Sequence, residues 1–407
     1  MLIMICATVV LWILSAVVCV GRGAHDPCHV QDTTVDRFND GLTMVISANN
    51  EFAFRLYREL SEPSDSQGQN IFFSPICVSL ALAALSVGAR EETHQQIFNV
   101  LGFNDFQLSQ SDVDEAFCRI VKSKQAREDI TAGTAVFVDN LFKSQPEFLR
   151  ALKQFYFAEY FSVEFTKATD AANTINKYVS DKTNGRIDKL VDGLNSSTVL
   201  YLLNYIYYKG KWPIGFDPAL TKLDEFTVDE NKKVPVQMMK IDKHFSTFDE
   251  EIGTFVLNLP FSNSFSMLLL MPDNMTTLEN MISLTRVTEW LNVTESRDCG
   301  IYIPKFSIKT SYTLNDVLKE MGMTDVFDHA NLSGISKEHN LTVSEVVHRA
   351  ALDVDEEGAS AAAATGNVVF DSCLKQDLKF NSPFMFMIVE RSTETILFMG
   401  KISNPNL

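Results

Sequence analysis

The chain has 407 residues, of which 46% are hydrophobic and 21% charged, and its formal net charge is −17. Those fractions are ordinary for a globular protein and exclude a disordered or fibrous chain, while the acidic balance argues against nucleic acid as a partner. No Pro/Gly/Ser linker and no internal repeat divides it, so one large domain is expected although the length would suit two or three.

Leu2 through Val20 carry no charge and include Trp12, Ile13, Leu14, Val17 and Val18. The run nearly reaches membrane-spanning length. Small residues Cys19, Gly21 and Gly23 stand at and just past its end and no second apolar span exists, so residues 1–23 are expected to be a secretory signal peptide cut near residues 21–23. The expected location is extracellular, with no membrane attachment. A tail over residues 24–48 comes next. Its His25, Cys28 and His29 are close enough to share a metal, but patterns this short arise by chance and no metal or other cofactor is expected. Cys6 and Cys19 would leave with the signal. Cys28, Cys77, Cys118, Cys299 and Cys373 remain, an odd and scattered set that specifies no disulfide framework.

Phe52, Leu56 and Leu60 recur every four residues, which predicts a helix over Glu51–Leu60. Ser74-Pro75 reads as N-cap and first-turn proline of a second helix. Its positions Leu80 to Leu85 are apolar all round, so it is expected to be buried on every side, with Gly88 as its stop. Asp112, Asp114 and Glu115 precede Arg119, Lys122, Lys124 and Arg127 on another predicted helix, where acids first and bases last complement the helix dipole. Later apolar runs predict strands at Val136–Val138, Leu200–Tyr208, Phe255–Leu259, Met267–Met271, Ile301–Ile303 and Phe384–Val389. Helices first, then strands with scattered helices, is an α+β order. Five Asn-x-Ser/Thr triplets begin at Asn195, Asn274, Asn292, Asn331 and Asn340, candidate glycosylation sites in a secreted chain. No HExxH, P-loop or glycine-rich dinucleotide turn is present, and no enzymatic activity is expected.

Near the C-terminus stands Glu356-Glu357-Gly358-Ala359-Ser360-Ala361-Ala362-Ala363-Ala364-Thr365-Gly366. Composition alone reads this as a flexible linker. Side chains this small can also enter a packed interior without overpacking it. The flanks decide the reading. Leu341 to Ala350 precede the tract; Phe380-Asn381-Ser382-Pro383-Phe384 and Ile396 to Pro405 follow it. Upstream lie Asn70-Ile71-Phe72-Phe73-Ser74-Pro75, Asn173 to Val179, Thr183 to Ile187, Leu203-Asn204-Tyr205-Ile206-Tyr207-Tyr208-Lys209-Gly210-Lys211-Trp212 and Pro304-Lys305-Phe306. In this order and spacing, over roughly residues 50–407, they resemble the serpins, the serine protease inhibitor family, in particular its secreted antitrypsin-like members.

The resemblance implies a single serpin domain over residues 49–407, with three β-sheets, about nine helices and an exposed reactive-centre loop near residues 356–379. Glu356 through Ala364 would be its hinge. His348 would bond to Asn204 where the main sheet parts, with Ser74 and Cys77 in the same sheet-opening region, Cys77 replacing the family's usual serine. Glu356 would pair with Lys305. Counting fourteen residues past Gly358 puts the scissile bond at Ser372-Cys373, with Phe370-Asp371 and Leu374-Lys375 as alternatives. The implied activity is suicide inhibition of an extracellular elastase- or chymotrypsin-like serine protease by a monomer. The alternative is a non-inhibitory carrier of a small hydrophobic hormone, because Glu390-Arg391-Ser392-Thr393 resembles the thyroxine carrier near its ligand site. The patch around Arg119 is less basic than the matching helix of heparin-activated serpins, so heparin is not an expected partner.

Overall fold

The computed structural model describes residues 35–407 except 63–67, 126–128, 188–189, 192, 214, 242–243, 293–295, 298–299, 339–340 and 358–377. In chain order the strands begin with β1 (Ile71–Phe73), β2 (Ile130–Asp139), β3 (Glu159–Val163), β4 (Leu200–Tyr208), β5 (Lys222–Asp229) and β6 (Lys232–Ile241). Next come β7 (His244–Asp249), β8 (Thr254–Pro260), β9 (Phe265–Pro272), β10 (Ser296–Arg297) and β11 (Ile301–Pro304). The last are β12 (Phe306–Thr313), β13 (Glu345–Val354), β14 (Leu378–Lys379), β15 (Phe384–Glu390) and β16 (Ile396–Ile402). They form three sheets, ordered β12-β13-β4-β2-β3, β1-β16-β15-β9-β8-β7-β10 and β14-β11-β6-β5. Ten α-helices are described alongside them, close to the nine expected.

The five-stranded sheet is covered on both faces, and β4 shows why its sequence is apolar almost throughout. Strand side chains alternate between faces. Leu200, Leu202, Ile206 and Tyr208 enter the large core. Tyr201, Leu203 and Tyr205 enter a smaller one, built with Ala171, Ile175, Tyr178 and Val179 of the helix Ala168–Lys182 that crosses the sheet. Asn204 is the polar exception on the large-core face, and it is buried.

The helix Pro75–Ser86 lies against that face, with eleven buried residues. The start of this helix differs from the sequence reading; its stop, just before Gly88, does not. Ser74 occupies the N-cap position, but its side chain makes no capping bond; the hydroxyl instead donates to the Leu397 carbonyl on β16, 2.7 Å away. Gly88 is needed for close approach, since a Cβ there would collide with the side chain of Ile335. The first helix also extends beyond its predicted start, running Val35–Ser61. Val45, Ile46 and Ala48 are buried, so the segment to residue 48 read as a tail contributes to the core.

The acids of the helix Gln110–Gln125 are not equivalent. Asp112 accepts from the backbone and hydroxyl of Ser109, at 2.9 and 2.6 Å, and so works at the helix start as expected. Asp114 faces inward, accepting from Gln110 at 2.8 Å and from the Tyr156 hydroxyl. Burial raises its carboxyl above the ordinary range, although those two bonds act the other way. It is a core polar group, not a solvated partner of the dipole. Cys118, on the same helix, is disulfide-bonded, whereas Cys77 is a buried thiol outside any disulfide.

Candidate functional site at the sheet seam and loop base

Within the five-stranded sheet β13 and β4 run parallel, paired from Glu345↔Tyr201 to Leu352↔Tyr208. His348 therefore lies beside Asn204, and Asn204 beside Thr134 of β2. The Ser74 backbone N–H donates to His348 Nε2 at 3.0 Å. That nitrogen must then be unprotonated, so the ring proton sits on Nδ1 and is donated to Asn204 Oδ1 at 2.9 Å. Asn204 Nδ2 passes the chain on to Thr134 Oγ1 at 3.0 Å. One hydrogen-bond row thus ties the helix Pro75–Ser86 to three strands. Burial lowers the His348 pKa from 6.5 to about 3, keeping the ring neutral. Cys77 lines an adjoining cavity of about 120 Å³ with Thr134, Asn204 and Leu397.

The chain leaves β13 through a second cluster. Lys305, just before β12, places Nζ 2.6 Å from Glu356 Oε2, and Thr221 Oγ1 donates to Glu356 Oε1 at 3.0 Å. Partial burial would raise the Glu356 carboxyl, but the bonds from Lys305, the backbone and Thr221 outweigh it and hold it below the ordinary range. Lys209, following β4, bonds Glu357 at 2.5 Å and Asp355 at 3.2 Å. Trp212 Nε1 donates to the Asp355 carbonyl at 3.0 Å and its backbone N–H to the Glu357 carbonyl at 3.3 Å. The Trp212 ring stacks on Phe261, with centroids 4.4 Å apart. The first three residues after β13 are therefore clamped from both flanking strands.

The sequence reading singled out Glu356 and Lys305 here but not Thr221 or Thr134, and it gave no role to Lys209 or Trp212. Those last two stand inside the motif Lys209-Gly210-Lys211-Trp212, and a tryptophan beside two lysines at the end of a buried strand was the available signal. Gly358 through Ala364, the Ser372-Cys373 bond, Asn340, and His25, Cys28 and His29 lie outside the described residues. Among the other sequons Asn195, Asn274 and Asn292 are exposed. Asn274 also caps the helix Met275–Met281 through Oδ1, 3.0 Å from the Thr277 N–H, which leaves Nδ2 available. Asn331 is only partly exposed and donates its Nδ2 to Glu91 at 3.0 Å.

The comparisons with known proteins bear on the family and the fold. A sequence model described as "Serpin (serine protease inhibitor)" matches residues 47–405. The chain belongs to the serpin family. Among curated relatives, Serpin A3-5 of Bos taurus is 39% identical over 367 residues, covering 88% of this chain and 89% of its own. An alpha-1-antitrypsin-like protein of Tamias sibiricus is 35% identical over 97% of both chains. Among solved structures, mouse protein-Z dependent protease inhibitor superposes with a TM-score of 0.84 at 29% identity, covering 91% of this chain and 99% of that one. Human thyroxine-binding globulin complexed with thyroxine gives 0.82 at 31% identity, covering 90% and 99%. No described helix is long and apolar enough to cross a membrane.

Proposed function

We propose that this serpin is a secreted suicide inhibitor of a serine protease with elastase- or chymotrypsin-like specificity. The observation that carries the reading is the parallel contact between β13 and β4. A segment that follows β13 and turns back would run antiparallel to β13 and, because β4 is parallel to β13, antiparallel to β4 as well. Inserted between them, it exchanges one parallel ladder for two antiparallel ones, which are slightly more stable per residue. The tract from Gly358 to Ala364 follows β13 and has side chains small enough to enter without overpacking. In this mechanism the protease serine attacks a bond in residues 370–375, with Ser372-Cys373 first by count, and forms an acyl-enzyme. Insertion of the hinge then carries the bound protease away before water can release it. Ser74, Asn204 and His348 hold the seam until that moment, and the Glu356–Lys305 pair guards its entry.

The carrier alternative draws support from the thyroxine-binding globulin neighbour. Local chemistry favours inhibition. Arg391, the cation of the carrier-like stretch, spends its guanidinium on the carbonyls of Asn263 and Phe265. Glu394 accepts from Thr288 at 2.7 Å, presenting an acid where an anionic hormone would need a base. The test is to mix the purified protein with elastase and with chymotrypsin and look for covalent complexes on denaturing gels. Complexes with either enzyme support the proposal; cleavage without complex by both would refute it.

A further inference from the structure

Lys209 has a second face. It lines a cleft of about 550 Å³ together with Asp129 before β2, Tyr207 of β4, Arg186, Lys211 and Asn263. Asp129 is the one carboxylate in that lining, and it is already engaged by the amide of Asn263. The Arg186 guanidinium carbon lies 5.4 Å from the centroid of the Tyr207 ring. That ring is itself fixed, its hydroxyl donating to Asp353 at 3.0 Å. Neither Arg186 nor Lys211 forms an ion pair among the described residues, and both are exposed. Arg186, Lys211 and Lys209, the last also paired with Asp355 and Glu357, thus converge on a recess in which Asp129 is the one acid among the described lining residues, on a chain of net charge −17. A cleft in which cations outnumber acids concentrates anions. Arginine's planar fork beside two lysine point charges suits the several oxygens of a phosphate or sulfate.

We propose that this cleft binds a tetrahedral oxyanion, phosphate or sulfate, either free or as an ester, and that the bound anion competes with Asp355 and Glu357 for Lys209. Binding would then loosen the clamp on the residues that follow β13. The binding half stands on the cleft alone; the coupling half rests on the inhibitor reading.

Calorimetric titration of the full chain with inorganic phosphate and with sulfate, at ionic strength matched with chloride, tests the first half. The expected result is saturable one-to-one binding that weakens at least tenfold in Arg186→Gln/Lys211→Gln and survives in Lys211→Arg. Absence of binding beyond chloride, or an affinity unchanged in the double variant, overturns the site. Phosphotyrosine and sulfotyrosine as further probes separate the sources: tighter binding than the free ions assigns an ester, weaker binding a free ion. For the second half, saturating phosphate should at least double the rate at which chymotrypsin cuts residues 370–375, and Lys209→Gln should be cut quickly with or without it. An unchanged rate with the anion bound overturns the coupling. Failure to form covalent protease complexes would remove the inhibitor reading without altering the titration.

Discussion

His348 and Asn204 meet side by side across the parallel seam of the main sheet, Nδ1 to Oδ1 at 2.9 Å, with the other ring nitrogen committed to the backbone of Ser74. Both nitrogens are in use only while the ring is neutral. A proton on Nε2 would set N–H against N–H in a buried site, where an unmade bond costs about 1–3 kcal/mol and a buried charge more.

Stability should therefore depend on pH through this residue. The folded ring titrates near 3 and the unfolded one near 6.5, so between those values the unfolded chain binds more protons. The contribution is fully present above pH 6.5 and is lost as the pH falls toward 3, at up to about 1.4 kcal/mol per pH unit. Melting temperatures of wild type and His348→Gln, measured across that window, should converge as the pH drops. Parallel curves would show that His348 is not the titrating group.

Charge reversal at the loop base should change assembly more than stability. The Lys305–Glu356 pair is partly exposed on the lysine side, and such pairs contribute about 0–1 kcal/mol. Glu356→Lys would place a cation against Lys305 and free the entry to the seam. Size-exclusion chromatography after prolonged mild heating should show polymers from the variant before wild type. A variant that stays monomeric for as long would remove the gating role.

Cutting the loop tests insertion directly. If the tract enters between β13 and β4, a new central strand adds two ladders and buried area, raising the melting temperature by roughly tens of degrees. The measurement is a thermal scan before and after confirmed cleavage within residues 370–375. An unchanged curve is the result that insertion does not allow.

Partitioning between inhibitor and substrate should respond to Ala361→Arg. Strand alternation would send residues 359, 361 and 363 inward, and an unpaired arginine there costs several kcal/mol. Slower insertion leaves more time for hydrolysis of the acyl-enzyme. The ratio of covalent complex to cleaved protein should fall about tenfold or more; an unaltered ratio would show that position 361 does not enter the sheet.

The parts of this architecture that follow from local pattern were legible in the sequence. Leu200–Tyr208 and Pro75–Ser86 announce themselves because burial on both faces or all round demands nearly unbroken apolar runs. Contacts between distant residues were not legible in that way. The Ser74 hydroxyl is taken by Leu397, 323 positions on, and an N-cap rule sees only sequence neighbours. Asp114 and Glu115 look alike in sequence, yet Tyr156, 42 positions on, receives only the first. The contacts of His348 with Asn204 and of Glu356 with Lys305 were anticipated through family resemblance, since neither periodicity nor spacing relates residues 144 or 51 apart.

Trp212 gives the loop base an optical reporter of its own. The chain has three tryptophans, and the two in described regions, Trp212 and Trp290, occupy different settings: Trp290 Nε1 bonds Asp249, whereas Trp212 Nε1 bonds the carbonyl of Asp355. Any event that pulls residues 355–357 away from β4 strips the Trp212 indole of its acceptor and admits water beside a ring otherwise sealed against Phe261. In the chain without residues 1–23, which carry Trp12, emission in Trp290→Phe would then follow Trp212 in real time, with a red shift marking departure of the loop base.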